Sequence, residues 1–457
     1  MLLTKANKRM STIAIHADWI FSLTSTPIPN GWLVAHEGVI EFLGRELPPR
    51  FQSVPIRKLP NTALLPGLIN AHCHLEFSDM ANPIEFHGSF IAWIQSVVRH
   101  RAQANGEESI ERRRMAVARG IEESYRSGTR ILFDTITAPW SPDWIQSPSI
   151  PQELASSPEV GILRHALTGL SRFYVVPIPE TLDIHQSRGD ETIAFARRVH
   201  EQMGEPKNRQ SSPTSSSSIM PRLAISPHAP YTASRNLVRN WTAWSQSNHG
   251  LVSMHLAESR EEMEWLAERA EPIESALGRF RDQAFARQSS TMQDYVDAML
   301  EAWLGIIAHG NYLDESLLTN LSAHRNHVAI AHCPRTYRHF HPDRSTQNYP
   351  LAERLRRGVR HLVGTDSRAS NPDLSVWSEM QTMLNYPGIS GEEIIAMATR
   401  EPADLLGLAD FGTLAVGNRS LCTAIPLSGT LEQEDIYRSL LTVGKSAVPL
   451  ESMIVES

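Results

Sequence analysis

PGLINAHCHLE, residues 66–76, is the stretch that decides the fold of this 457-residue chain. Its apolar residues predict a β-strand that leaves a small N-terminal domain and ends in two histidines. Because residues i and i+2 of a strand point to the same side, His72 and His74 converge on one point, as two imidazole ligands of a metal must. Most histidine pairs at this spacing bind nothing, so other parts of the sequence have to support the interpretation.

Polar residues recur at the ends of other apolar, strand-like segments. Three of these segments close on a histidine or a carboxylate, namely AISPHAPY (residues 224–231), LVSMHLAE (251–258) and HLVGTD (361–366). Two more segments, IIAHG (306–310) and VAIAHC (328–333), also carry histidines near their ends. A (β/α)8 barrel displays its active site from strand ends at one face. The pattern therefore predicts an α/β fold of the TIM-barrel class.

These motifs resemble those of the amidohydrolase superfamily, within its branch of nucleoside and nucleobase deaminases and triazine chlorohydrolases. The HxH, HAPYT, HLAE, AH and GTD motifs stand in the order of that branch, and the resemblance runs from about residue 15 to about residue 414. After the first motif, LEFSDM (75–80) and GSFIAWI (88–94) are most similar to aminodeoxyfutalosine deaminases.

The resemblance implies a metal-dependent (β/α)8 barrel over residues 66–405. It also implies a small β-sandwich domain formed from residues 1–65 and 406–457. WLVAHEGVIEFLG (32–44) has the alternation of a hairpin, as that small domain requires. The C-terminal part is less typical of the family, because VGNRSL (416–421) stands where a PGKxADL turn and strand are usual.

Several elements of the barrel region are predicted from local patterns. Residues 129–135 and 161–168 are expected as strands 2 and 3. A helix with Val117, Ile121 and Tyr125 on one face precedes strand 2 and ends before Gly128. Further helices are expected at residues 190–203 and within 259–300. The serine-rich residues 204–218 are expected to form a surface loop.

The resemblance implies that a divalent metal is held by His72, His74, His255 and Asp366. Three neutral imidazoles and one carboxylate suit Zn²⁺, or alternatively Fe²⁺, and are a poor set for Mg²⁺ or Ca²⁺. Such an ion lowers the pKa of a bound water to roughly 7. Binuclear relatives place a carboxylated lysine at the end of strand 4, where this chain has Pro227 and His228. One metal ion per chain is therefore expected.

The resemblance also assigns the proton chemistry. It makes Glu258 the shuttle that protonates the ring nitrogen beside the attacked carbon, and makes Asp366 the acceptor of the proton from water. His309 orients the nucleophile and stabilises the developing charge. His228 is placed to bind the substrate. The alternatives are a helix-turn carboxylate for Glu258 and a buried, backbone-bonded imidazole for His228.

Four further positions are candidates for contact with the substrate. Glu76 follows the first motif, and Phe90 and Trp93 could cover an aromatic ring or simply pack on the barrel rim. Arg335 would favour a substrate carboxylate by bidentate pairing, although a rim salt bridge explains it almost as well.

Composition sets the remaining expectations. A formal net charge of −7 gives no reason to expect nucleic acid or an anionic membrane as a partner, and the three cysteines indicate a reducing compartment. No apolar span is long enough for a membrane crossing, so a cytoplasmic enzyme with a small-molecule substrate is expected. Members of the superfamily often form dimers, which leaves a homodimer open.

The predicted activity is hydrolytic deamination of an aminopurine nucleoside, adenosine-like and with 6-amino-6-deoxyfutalosine as one option. A second hypothesis keeps the site and changes the leaving group, to chloride or to a ring C–N bond of a triazine or pyrimidine. A third hypothesis, a non-catalytic metal-binding barrel, is disfavoured because such a protein has no need of Glu258 and His309.

Overall fold

The computed structural model describes residues 12–103, 106–145, 172–204, 223–269, 271, 273–278, 290–342 and 349–456. The predicted third strand, residues 161–168, lies outside these ranges, as does the serine-rich segment after residue 204. The described residues form a mixed α/β structure with a six-stranded and a nine-stranded sheet.

The six-stranded sheet joins the two ends of the chain. In chain order its strands are β1 (Thr12–Ile20), β2 (Ile28–His36), β3 (Val39–Gly44), β4 (Ile56–Pro66), β14 (Cys422–Pro426) and β15 (Val448–Pro449). Their spatial order is β15-β14-β4-β1-β2-β3. β2 and β3 form the expected antiparallel hairpin, and β14 pairs antiparallel to β4 with Cys422 opposite Pro66. The C-terminal segment therefore contributes to this sheet despite its unusual sequence.

The nine-stranded sheet is parallel and curled, as in a TIM-like barrel. Its strands are β5 (Leu68–His74), β6 (Thr129–Ile136), β7 (Tyr174–Thr181), β8 (Ala224–Pro227), β9 (Leu251–Leu256), β10 (Leu304–His309), β11 (Val328–His332), β12 (His361–Val363) and β13 (Asp366–Ser367). They lie in the order β12-β11-β10-β9-β8-β7-β6-β5-β13. Strand 2 is confirmed as β6. The strand that pairs with it is β7, so the expected position of the third strand was wrong.

Helices follow most of these strands. The longer ones are α1 (Phe90–Arg101), α2 (Gly106–Arg126), α3 (Gln186–Gly204), α4 (Arg235–Asn248), α5 (Arg260–Glu268), α7 (Met292–Leu300), α8 (Glu315–Ala323), α11 (Val376–Met383) and α14 (Ile436–Val443). The shorter ones are α6 (Ile273–Gly278), α9 (Pro334–Phe340), α10 (Leu351–Arg356), α12 (Gly391–Met397), α13 (Arg400–Leu405) and α15 (Leu450–Glu456). Within the described ranges, no helix has the length and apolar character that crossing a membrane requires.

The inner face of the curled sheet is a packed apolar core. Alternate residues of the strands meet there, among them Ile69, Ile131, Ile178, Leu251 and Ala329. Because strand side chains alternate between faces, the next inward positions towards the C-terminal ends of the strands lie above this core. Glu180 and His255 occupy such positions, two residues after Ile178 and four after Leu251. His72 and His74 are out of phase with Ile69, and the pairing of β5 with β6 is irregular between Asn70 and Cys73.

A buried ion pair fastens this sheet to the end of the chain. Arg130 of β6 donates to both carboxylate oxygens of Glu451 in α15, at 2.7 and 2.6 Å, and to the carbonyl of Cys422 at 2.8 Å. The hydroxyl of Tyr125 also donates to Glu451. Arg130 thus bonds β6 both to the C-terminal helix and to β14 of the other sheet.

Candidate functional site

Three histidines from two strands converge above the inner core. His72 and His74 end β5, and His255 lies near the end of β9. Nε2 of His74 is 3.2 Å from Nε2 of His255, and the ring centroids of His72 and His255 are 4.8 Å apart. One ligand atom from each of the three lies within 4.8 Å of the others. The structure therefore brings the three predicted histidine ligands together.

The hydrogen bonds of these imidazoles leave nitrogens free for a metal. Nδ1 of His255 lies 3.0 Å from the carbonyl oxygen of His228, which can only accept, so Nδ1 carries the hydrogen and Nε2 keeps its lone pair. Both ring nitrogens of His72 and Nδ1 of His74 are buried without a hydrogen-bond partner among the described residues. A nitrogen donor set of this kind fits Zn²⁺ or Fe²⁺.

Burial keeps the three imidazoles neutral. Removal from solvent is the largest cause that lowers the pKa of His72 and His74 well below the usual value, and neighbouring histidines add to it. The pKa of His255 falls to about 4 for the same main reason. Neutral imidazole is the form that binds a metal.

Asp366 completes the predicted ligand set. Its Oδ1 lies 3.9 Å from Nε2 of both His72 and His74. Ser370 donates to the other carboxylate oxygen, Oδ2, at 2.9 Å. β13 pairs with β5 so that Asp366 lies opposite Cys73, which is why a residue almost 300 positions away reaches the histidine pair. Burial raises the pKa of Asp366 to about 6.

Glu258 and His309 lie beside Asp366. Ligand-type atoms of these three residues are within 4.8 Å of one another, and Nε2 of His309 is 3.5 Å from Oε1 of Glu258. Burial, followed by the charges of Asp366 and Glu262, raises the pKa of Glu258 well above its usual value. This raised pKa favours the protonated form of Glu258, which is the form that a general acid needs.

Left-handed backbone occurs at two residues of the site and directly before a third. His309 and Asp366 have φ of 70° and 56°, and Ala257, which precedes Glu258, has φ of 52°. This region costs a residue with a side chain roughly 1–2 kcal/mol and is concentrated at functional sites, where the surrounding structure holds it in place.

Glu262 holds the turn that carries Glu258. The Glu262 side chain is fully buried, and its two oxygens accept the backbone N–H groups of Ala257 and Glu258, each at 2.9 Å. Its own N–H is capped by Ser259 at 3.1 Å. The sequence analysis missed this residue, although a glutamate four positions after Glu258 at the start of a helix is a recognisable signal for a carboxylate that binds free N–H groups.

The turn after β10 is held in a similar way. Arg354 of α10 donates to the carbonyls of Gly310 and Asn311 at 2.8 and 3.1 Å. The side chain of Asn311 donates to the backbone carbonyl of Glu258 at 3.0 Å. The turns that present His309 and Glu258 are therefore connected.

His228 lies next to the histidine cluster, at the end of β8. Its ring centroid is 5.2 Å from that of His255, and its Nδ1 is 2.5 Å from the hydroxyl of Thr232. Burial lowers its pKa to about 3, so the ring is neutral. Its Nε2 has no described hydrogen bond, which leaves it able to face a substrate.

Two of the predicted substrate contacts are instead occupied within the protein. Arg335 donates to Glu379 at 2.8 Å and to Asp373 at 2.7 Å, so it forms a salt bridge as the alternative describes, and its contact with a substrate stays a prediction. The carboxylate of Glu76 accepts from Arg101 at 2.6 Å and from Thr137 at 3.2 Å. Glu76 thus holds Arg101, and its contact with a substrate stays a prediction.

Trp93 lies in an aromatic cluster on α1. Its ring centroid is 5.9 Å from Phe90 and 4.9 Å from Phe340 of α9. Both carboxylate oxygens of Glu261 accept N–H groups at the start of α1, from Phe90 at 2.8 Å and from Ile91 at 3.0 Å. α1 is thereby fixed to the same turn of α5 that holds Glu258, and Trp93 packs on the rim.

Arg101 and Glu180 are two further charged residues that the sequence analysis did not single out. Arg101 ends α1 with its guanidinium 4.9 Å from the ring of Phe77, and its charge helps to lower the pKa of His74, His228 and His255. Glu180 is buried near the end of β7. Pro177 and Pro179 concealed this strand, because proline is usually confined to strand edges and ends.

Comparison with known families gives a single assignment for most of the chain. The model of the amidohydrolase family matches residues 63–425. The aminodeoxyfutalosine deaminase of Nitratiruptor sp. is 24% identical over 397 residues, which cover 84% of this chain and 85% of that protein. The 5-methylthioadenosine/S-adenosylhomocysteine deaminase of Pyrococcus furiosus is 23% identical and covers 82% and 77% of the two chains.

Solved structures agree on the fold. The Helicobacter pylori aminofutalosine deaminase, crystallised with methylthio-coformycin, superposes with a TM-score of 0.71 at 20% identity, covering 95% of this chain and 97% of that one. A Xanthomonas campestris adenosine deaminase with bound zinc superposes with a TM-score of 0.67 at 19% identity, covering 95% and 90%.

Proposed function

The chain belongs to the amidohydrolase family and is a hydrolase that acts on carbon–nitrogen bonds, and from this premise we propose that it deaminates an aminopurine nucleoside. The substrate would be adenosine-like, and 6-amino-6-deoxyfutalosine is one member of that class. The names of the relatives in the comparisons support this choice over free nucleobases.

One observation carries the proposal. A buried carboxyl group that is not one of the proposed ligands, Glu258, stands 3.5 Å from His309 and beside a set of neutral imidazoles with free nitrogens, and burial raises its pKa. A binding protein for a metal would need the imidazoles and Asp366 alone. The additional acid is what a deamination reaction needs, because an amine leaves a purine ring only after protonation.

We propose His72, His74, His255 and Asp366 as the ligands of one divalent metal ion, with Zn²⁺ preferred. When bound, such an ion would make a water nucleophilic at neutral pH. Nε2 of His72 is buried without a hydrogen-bond partner in the described chain, and Nε2 of His74 lies 3.2 Å from Nε2 of His255, an arrangement that a shared metal ion would account for. β8 ends in Pro227, so its end offers no lysine, which supports one ion over two.

The protein's own groups then move the protons. Asp366 takes the proton that the attacking water loses. Glu258 gives its proton to the ring nitrogen beside the attacked carbon and becomes a carboxylate. It then takes the hydroxyl proton of the tetrahedral adduct and passes it to the departing amine, so that water and substrate become the ketone-type product and ammonia. The proton on Asp366 returns to Glu258 and restores the starting state. His309, neutral because burial lowers its pKa, donates or accepts a hydrogen bond at the attacked centre. His228 would orient the base through its free nitrogen.

We also propose that the nine strands close as a (β/α)8 barrel in which β12 and β13 are one interrupted strand. Gly364 and Thr365 separate them, and their N–H groups donate to the carbonyls of His332 and His72 at 2.9 and 3.0 Å. This two-residue link thus bonds to both neighbouring strands. Together with this arrangement we propose domain boundaries at residues 65/66 and 405/406.

The proposal is tested by measuring ammonia release from zinc-loaded protein. Adenosine, 5′-methylthioadenosine, S-adenosylhomocysteine and 6-amino-6-deoxyfutalosine are offered separately, and atrazine is offered with chloride as the readout. We expect stoichiometric ammonia from at least one nucleoside and none from Glu258→Gln. Chloride release without ammonia, or no turnover of any nucleoside by zinc-loaded protein, would contradict the proposal.

A further inference from the structure

Glu180 is a carboxylate that points to the inside of the curled sheet. Val176 and Ile178 of β7 belong to the inner core, and strand side chains alternate, so the next inward position is Glu180. β7 pairs with β8 so that Glu180 lies opposite Ser226, two residues before His228. Only 7% of Glu180 is exposed. It therefore lies at the level of the histidine cluster.

No described residue satisfies this carboxylate. Glu180 has neither a hydrogen bond nor an ion pair within the described ranges, whereas the nearby Glu76 and Glu262 are both bonded to at least two donors. Unlike the ring nitrogens of His72, the carboxylate oxygens of Glu180 are not sealed from solvent, so they are open to a ligand in the site. A carboxylate that receives no donor from the protein is expected to have water or a ligand as its partner.

Arg101 faces the same space without neutralising Glu180. The two residues interact electrostatically, but among the described residues they do not form an ion pair with each other. Arg101 is instead bonded to Glu76, and its Nε is buried with no partner. An acceptor on one side and a donor on the other thus border the region beside His255.

We propose that Glu180 accepts hydrogen bonds from the sugar hydroxyl groups of a nucleoside substrate. This inference rests on the proposed deamination. An adenine ring presents only acceptor nitrogens apart from the amine that leaves, and that amine must lie beside Glu258. The sugar hydroxyls are then the remaining donors of an adenosine-like substrate. These hydroxyls can also accept a hydrogen bond from Arg101. A free base or a triazine has no sugar and therefore cannot make either contact.

The charge of Arg101 decides against a cationic substituent at this position. The Arg101 guanidinium is bonded to Glu76 at 2.6 Å and interacts electrostatically with Glu180. An ammonium group placed between Glu180 and Arg101 would meet that charge. A neutral hydroxyl gains from both groups.

The experiment compares two nucleosides in two proteins. kcat and KM are measured for adenosine and 2′,3′-dideoxyadenosine with the zinc-loaded wild type and with Glu180→Gln, which keeps the shape of the side chain. Hydrogen bonds to a charged group predict that Glu180→Gln lowers kcat/KM for adenosine by about 10- to 100-fold, mainly through KM. For the dideoxy compound the change should stay below about threefold. Glu264→Gln, an exposed glutamate of α5, serves as the matched control.

Each outcome has a distinct meaning. Equal losses of kcat/KM for both nucleosides would overturn the inference, because Glu180 would then contact the base or have a structural role. A structural role would also lower the zinc content or the unfolding temperature of Glu180→Gln, whereas contact with the base would not. Unchanged kinetics of Glu180→Gln with both nucleosides would also overturn it, because Glu180 would then contact no part of the substrate. If the wild type releases no ammonia from any nucleoside, the proposed function itself fails, irrespective of Glu180.

Discussion

Replacing Glu262 by glutamine tests how the protein holds its proposed proton shuttle. Glu262 is fully buried, and its two oxygens accept the N–H groups of Ala257 and Glu258, each at 2.9 Å. Glutamine keeps one acceptor and turns an N–H group towards the other backbone N–H. The turn at Ala257, whose φ of 52° is left-handed, then loses one of its two hydrogen bonds to the side chain of residue 262.

The expected size of the effect follows from these contacts. One hydrogen bond to a charged acceptor contributes ~1.5–3 kcal/mol. A loss of about 2 kcal/mol would lower the population of the turn conformation that presents Glu258 by roughly 30-fold relative to alternative conformations. Because burial raises the pKa of Glu262 to about 7, the carboxylate is only partly ionised at neutral pH. We therefore expect kcat to fall by about 10- to 30-fold, with KM within about threefold and zinc content unchanged.

Glu261→Gln is the matched control, because it makes the same chemical change one residue away. Glu261 binds the N–H groups of Phe90 and Ile91 and thus holds α1, not the turn of Glu258. Steady-state kinetics of ammonia release should show a change in KM for Glu261→Gln and a change in kcat for Glu262→Gln. Identical effects of the two variants, or loss of zinc from Glu262→Gln, would refute the reasoning.

The remaining predictions concern stability and metal binding. Arg335→Met leaves the buried Glu379 without its cationic partner, so urea unfolding should show a free energy of unfolding lower by about 3–5 kcal/mol. The variant should change KM equally for carboxylated and plain nucleosides, and a rise in KM for the carboxylated ones alone would make Arg335 a substrate contact. His361 is fully buried and its pKa is lowered to about 3, so below about pH 6.5 the unfolded chain binds a proton that the folded chain does not. The contribution of His361 to stability is complete above pH 6.5 and falls towards pH 3. His361→Leu should reduce the slope of the unfolding free energy against pH between pH 6 and 4.5 by about 1.4 kcal/mol per pH unit, and an unchanged slope would contradict this. His72→Ala and Asp366→Ala should each lose the metal, measured by elemental analysis, and full occupancy in either would remove that residue from the ligand set.

Much of the site could be predicted because its residues end strands with clear patterns. His72, His74 and His255 follow apolar runs, and strand geometry alone sends alternate residues to one face. Their convergence with Asp366 needed only the closure that brings β13 beside β5. The resemblance to a known family supplied the order of the strands.

Other parts could not be read from the sequence, for physical reasons. β7 contains two prolines, Pro177 and Pro179, so its strand pattern is hidden, and Glu180 was hidden with it. The partner of Arg335, Glu379, is 44 residues away on α11, and no local pattern predicts a pair between two helices. Long-range ion pairs depend on how elements pack, and the sequence of one element does not contain that information.

The measurement that tests the central claim most directly is zinc content and kcat of Glu258→Gln, determined on the same preparation. Glutamine keeps the size of the side chain and removes the transferable proton, and general acid–base catalysis contributes roughly 10²–10⁴-fold. The account predicts full zinc occupancy, an unchanged unfolding temperature and a kcat lowered by at least about 100-fold. A variant that keeps most of its kcat would contradict the account, and so would one that loses its zinc, because Glu258 would then not be the separable proton shuttle.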